Sequence, residues 1–162
     1  MSASRNSLPF TLRTANSGFT LIELMVTIAV LAIIVSIAAP SMSTQLANQR
    51  VKSTAATLEN ALKEAKVESV IRRQSMEFSI DNNNHALAIV SENSDDIASY
   101  SYSTDNTIEV DDSDDMTIVF RPSKHVDAVT YTVCDSNSSA ITIQVIVTAV
   151  ANIRTLVGGT CS

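Results

Sequence analysis

The chain has 162 residues, 45% of them apolar and 4% aromatic, with 11 Lys and Arg against 17 Asp and Glu for a net charge of −6. That length suits one domain with additions, and the acid excess excludes the broadly basic surface of a nucleic-acid-binding domain, so any DNA contact has to be local. No Gly-x-Ser-x-Gly elbow, phosphate-binding loop or His-Glu-x-x-His motif occurs, nor a plausible Cys–His couple, and a non-catalytic protein without a cofactor is expected.

The first 18 residues, "MSASRNSLPFTLRTANSG", form a polar leader with Arg5 and Arg13 and no acid. Residues 19–39 follow, 21 positions with Glu23 as the one charge. As a helix rising about 1.5 Å per residue, this stretch crosses a hydrocarbon core of about 30 Å. The cationic leader holds its end in the cytoplasm, which puts the C-terminal portion outside. A secretory signal peptide is a rival reading, with residues 36–38 offering small side chains for cleavage. Its apolar region usually runs only about 7–15 residues and holds no acid. A plain membrane anchor leaves Glu23 unexplained, because a charge inside a span costs about 2.5–3.5 kcal/mol on insertion scales. No Lys or Arg lies between Arg13 and Arg50 to pair with it.

Gly18 followed by "FTLIELMV" resembles the class III signal of type IV pilins and type II secretion pseudopilins. The resemblance implies that a prepilin peptidase cuts after Gly18 and N-methylates the new terminal residue, Phe19. It also supplies the missing partner: Glu23 neutralises the terminal ammonium of a neighbouring subunit in a filament, where a buried carboxylate is tolerable because a positive charge meets it. Residues 19–40 then serve first as an inner-membrane anchor and afterwards as filament core. Ala29, Ala32, Ser36, Ala38 and Ala39 suit close helix approach, and they read equally well as ordinary span residues.

Pro40 lacks a backbone donor and crowds the preceding turn, so a kink is expected there. Residues 41–75 read as an amphipathic continuation of the helix: Val51, Ala55, Leu58, Leu62 and Ala65 recur at spacings of four and three and make one apolar stripe. Gln49, Lys52, Glu59, Lys63 and Lys66 fall largely off it, and Glu59 and Lys63 form an i,i+4 pair in the favourable orientation. Arg72 and Arg73 suit the negative end of the helix dipole or solvent.

From residue 76 to the end the periodicity is two, in the runs "MEFSI", "HALAIV", "TIEV", "MTIVF", "VTYTVC", "ITIQVIV" and "IRTLV", rich in Thr, Val, Ile and Tyr. Six or seven strands are expected. One long helix followed by consecutive strands predicts an α+β domain with a largely antiparallel β-sheet against the helix, which agrees with the pilin fold. The stretch "LENALKEAKVESVIRRQSMEFSI", with "IVFRPSK" and "YTVCD" further on, is similar to GspH/FimT-type minor pilins, although Lys124 stands where a glycine is common.

Cys134 and Cys161 both fall in the extracytoplasmic part, where the oxidising periplasm favours a disulfide. It would close 28 residues, for which chain entropy gives roughly 3 to 4 kcal/mol. His85 and His125 lack the spacing of a zinc site and read as solvated loop residues; no metal is expected. Between residues 95 and 115 eight acids, Asp95, Asp96, Asp105, Glu109, Asp111, Asp112, Asp114 and Asp115, occur without a base. They read as a solvated loop, with calcium as the sharper alternative. Some relatives bind DNA through a C-terminal tail. Here that stretch, "ANIRTLVGGTC", holds Arg154 alone, and Arg121 and Lys124 join it as DNA contacts if their strands adjoin. The resemblance implies a minor type IV pilin acting in pilus assembly, twitching motility or DNA uptake, with other pilins as partners, and a type II secretion pseudopilin as the alternative. Its place would be the inner membrane, with the domain from residue 76 in the periplasm, and then the fibre or its tip.

Overall fold

The computed structural model describes residues 18–111 and 116–161, without the side chains of residues 38–41. The leader up to residue 17, the kink expected at Pro40 and the acids of residues 112–115 therefore lie outside the described residues. The chain divides into two compact units, one ending at Ala38 and one beginning at Ala39. One helix, α1 (Leu21–Arg72), contributes to both.

In the second unit the apolar stripe of α1 forms the centre of the core. Val51, Leu58, Leu62 and Ala65 are fully buried, and Ala55 is nearly so. Lys52 and Lys63, on the opposite face, are exposed, and the Lys63 ammonium lies 2.6 Å from Glu59. The helix stops because Arg73 takes φ 55°, the left-handed conformation common just past a helix end.

Eight strands follow: β1 (Met76–Asp81), β2 (Ala86–Ser91), β3 (Asp96–Ser101), β4 (Asn106–Val110), β5 (Thr117–Phe120), β6 (Val129–Asp135), β7 (Ile143–Val147) and β8 (Ile153–Val157). They form two four-stranded sheets, ordered β3-β2-β1-β5 and β4-β6-β7-β8, and every pairing is antiparallel. The class is α+β, as expected, but two sheets replace the single one anticipated and the strand count is eight rather than six or seven. The additional strand, β3, lies in the acid run read as loop. Its burial does not alternate, because a bulge at Ile89/Val90 shifts its register against β2. Glu109, on β4, is a second acid of that run held in a strand.

Strands β1, β2, β5 and β7 alternate as a half-buried sheet requires, for example Met76, Phe78 and Ile80 inward on β1 and Ile143, Val145 and Val147 inward on β7. Phe78 of one sheet meets Tyr131 of the other edge to face, centroids 6.3 Å apart. Each fully buried large side chain contributes about 1.5–3 kcal/mol, so Leu58, Leu62, Phe78, Phe120 and Tyr131 outweigh any single surface ion pair, worth about 0–1 kcal/mol. A side chain also joins the sheets. Asn82, just past β1, donates to the Ile108 carbonyl at 2.9 Å and accepts the Ile108 amide at 3.1 Å. The Tyr102 hydroxyl donates to the same amide oxygen at 2.6 Å, and burial pushes that hydroxyl's pKa up to about 12.

Leu58→Ala is expected to remove about 2–5 kcal/mol of stability, against about 0.5 kcal/mol or less for the exposed Lys52→Ala. Urea denaturation of the full chain in detergent, followed by circular dichroism, measures both; equal losses would contradict the burial of the stripe.

Candidate functional site

The amino-terminal end carries the most unusual chemistry. Residues 18–20 precede the helix. The Thr20 carbonyl accepts the Leu24 amide at 3.2 Å and its hydroxyl oxygen accepts the Glu23 amide at 3.3 Å, which makes Thr20 the N-cap. Glu23 therefore sits in the first turn, where the positive end of the helix dipole favours a carboxylate. Gly18 has no atom of another segment within 4 Å of where a Cβ would stand, and Phe19 is 79% exposed.

From Leu21 to Ile37 every large apolar side chain is exposed, on all sides of the helix. The two other hydroxyls of this stretch satisfy themselves: Thr27 donates to the Leu24 carbonyl and Ser36 to the Ile33 carbonyl, both at 2.8 Å. Such back-bonding suits apolar surroundings. Among the described residues the Glu23 carboxylate has no partner, and the dipole's contribution of about 0.3–1 kcal/mol does not offset a burial cost of about 2.5–3.5 kcal/mol. Taken alone, no helix among the described residues is long and apolar enough to cross a membrane; residues 21–37 and 42–72 meet that test together.

The basic residues considered for DNA are dispersed. Arg121 and Lys124 occupy the turn after β5, with Lys124 at φ 62°, and β5 pairs with β1 alone. Arg154 is exposed on β8, the edge of the other sheet, opposite Ile146. Strand pairing does not bring them together. His125 is exposed, but His85 is half-buried rather than solvated: its ring meets Tyr102 edge to face and its Nδ1 is buried without a hydrogen bond. Among the described residues no three His, Cys, Asp or Glu side chains stand close enough to hold a metal ion. Cys134 and Cys161 are bonded, with Cα atoms 6.0 Å apart.

A buried polar cluster joins α1 to the second sheet, and sequence reasoning did not find it. Arg50 donates from Nε and Nη2 to the two oxygens of Asp135, each at 3.0 Å. The exposed Asp105 lies 3.4 Å from the same guanidinium. Asn106 donates to Asp135 at 3.0 Å and to the Cys134 carbonyl at 3.1 Å, and accepts from the Thr54 hydroxyl at 2.7 Å. Burial opposes charge on Asp135, but Arg50, the Asn137 amide and Asn106 together hold its pKa below the usual carboxylate range. The legible signal was Thr54, a polar residue at a core-facing position between Val51 and Leu58. Its partner, Asn106, lies 52 residues away.

Residues 13–39 match the family described as the prokaryotic N-terminal methylation motif. A search by sequence among curated proteins finds no match. Among solved structures, the type IV minor pilin FimU of Pseudomonas aeruginosa is similar at 15% identity and a TM-score of 0.60, over 70% of this chain and 96% of that one. The minor pseudopilin EpsH of the Vibrio cholerae type 2 secretion system is similar at 12% identity and a TM-score of 0.56, over 68% and 99%. At these identities the likeness concerns the fold.

Because the folded pKa of Asp135 is depressed, the stability it confers is complete above its ordinary value of about 3.9 and is lost as pH falls through the lower folded value. Asp135→Asn is expected to lower the thermal midpoint at pH 7 and to reduce its fall between pH 4 and 2. A titration of melting temperatures checks this, and an unchanged acid limb would contradict it.

Proposed function

We propose that this chain, which carries the methylation motif and the fold of the type IV pilin and pseudopilin superfamily, is a minor pilin that primes or supports assembly of a type IV pilus. The observation that carries the reading is Glu23, without a partner among the described residues, on a stem whose large apolar side chains from Leu21 to Ile37 are all exposed. A precursor is held in the inner membrane by residues 19–40, with the remainder in the periplasm. The prepilin peptidase cuts the Gly18–Phe19 bond and methylates Phe19. The stem then leaves lipid for a bundle of other pilin stems, which are equally apolar, so the transfer costs little. Glu23 supplies direction: its carboxylate gains a partner when the ammonium of an adjacent subunit arrives.

A pseudopilin of a type II secretion system uses the same parts, and the similarity to EpsH as well as FimU supports that second reading. Twitching motility and DNA uptake are the functions a pilus would serve. A DNA contact through Arg154, Arg121 or Lys124 would be weak, since each neutralised phosphate adds a limited increment.

Gly18→Ala is expected to leave uncut precursor on an immunoblot, and normal cleavage would overturn the leader assignment. Glu23→Ala should be cut normally yet be missing from sheared fibres; its presence there at the wild-type level would refute the charge-pairing role. Counting surface pili in a deletion strain separates the two systems. Loss of pili supports the pilus reading, whereas normal pili with impaired protein secretion favours the pseudopilin.

A further inference from the structure

Strand β8 is an edge strand whose residues Arg154, Thr155, Leu156 and Val157 are all exposed. Apart from its pairing with β7, one side-chain hydrogen bond ties it to the helix, from the Thr155 hydroxyl to Glu59 at 2.8 Å. The chain does not leave the surface after Val157. The Gly158 amide donates to the Thr142 carbonyl at 2.9 Å, and the Thr142 hydroxyl donates to the Gly159 carbonyl at 2.8 Å. Gly159, at φ 101°, passes so close over Gln144 that a Cβ would lie 2.9 Å from its Cγ. The register puts Gln144 opposite Thr132, and strand alternation puts Cys134 on that same face, away from the core. The tail thus crosses β7 and reaches Cys161, bonded to Cys134 of β6.

We propose that residues 158–161 are a strap across β7, and that the Cys134–Cys161 disulfide makes this strap a redox-sensitive latch on edge strand β8. The inference is independent of the filament reading. Cys134 is 6% exposed, whereas Cys161 is exposed, so a reductant reaches the bond from the tail side. A thiolate of a dithiol attacks the Cys161 sulfur, the S–S bond breaks, and Cys134 departs as a thiolate that takes a proton. The second thiol of the reductant then displaces Cys161, which is also protonated. The protein gains two electrons and two protons as two thiols, and the dithiol becomes a cyclic disulfide. Two hydrogen bonds and the Gln144 contact then hold the strap, and β8 keeps its pairing without a covalent anchor.

Hydrogen exchange of the full chain in detergent, followed by mass spectrometry, tests the latch in three forms: oxidised, reduced with dithiothreitol, and Cys161→Ser. Exchange of the amides of residues 153–158 is expected to quicken about tenfold or more in the last two forms through local opening, with α1 and β1 unchanged. Equal exchange of residues 153–158 in all three forms would overturn the latch, and a uniform rise through α1 and β1 would make the disulfide a general brace instead. Gly159→Ala keeps both cysteines and should quicken the same amides, because its Cβ collides with Gln144; no change there would overturn the path of the strap.

Discussion

An apolar helical surface left uncovered among the described residues is the constraint from which the rest of this molecule follows. Every large side chain from Leu21 to Ile37 is exposed, and apolar area costs about 25 cal/mol for each Å² left in water. Such a segment has to be enclosed by lipid or by other segments like it. Thr27 and Ser36 turn their hydroxyls onto the helix's own carbonyls, so neither asks for a polar neighbour. Glu23 does. In the proposed filament a single carboxylate would act as a selector, because an apolar bundle accepts the stem in many registers but a buried charge accepts few. The proposed pairing with a neighbouring ammonium makes one register preferable.

The second unit solves a different problem, that of fastening a helix to two sheets without relying on the helix's own propensity. Hydrophobic packing supplies most of the energy, from Leu58 and Leu62 on α1 against Phe78, Phe120 and Tyr131 on the strands. Polar contacts then set the position of α1 along the second sheet. Asn48 accepts the Ile141 amide at 2.8 Å, Arg50 grips Asp135, and Lys66 donates to the Ala151 carbonyl at 2.7 Å. Those three helix positions span five turns of an α-helix at about 3.6 residues each, so the contacts hold the helix along its length rather than at one point. On the first sheet Tyr100 donates to Glu64, and burial of the interlocking stripe does the remainder.

Much of this was legible in the sequence, for physical reasons that differ between elements. The spacing of Val51, Ala55, Leu58, Leu62 and Ala65 names a buried helical face because 3.6-residue periodicity is a local property. Clean alternation on β1, β2 and β7 is similarly local. Strand β3 escaped because its bulge breaks the alternation, and a bulge depends on how the partner strand runs. The division into two sheets escaped because sequence periodicity says which face of a strand is buried and not which strand lies beside it. His85 was misread for the same reason, since its burial comes from Tyr102, which follows β3 and lies 17 residues on.

The amino-terminal motif was legible in the sequence alone: a glycine, an apolar residue, a threonine cap and a glutamate in the first turn of a long apolar run stand within a few residues of one another. The period-two runs also declared a β-rich domain, and the two cysteines a disulfide. Only the tertiary structure could bring Arg50 to Asp135 or set Asn82 between the sheets. It alone carries the Gly158–Gly159 tail over Gln144. Those contacts join residues 15 to 85 positions apart, and their partners are chosen by strand order and register, which are properties of the assembled sheets and leave no periodic trace in the chain.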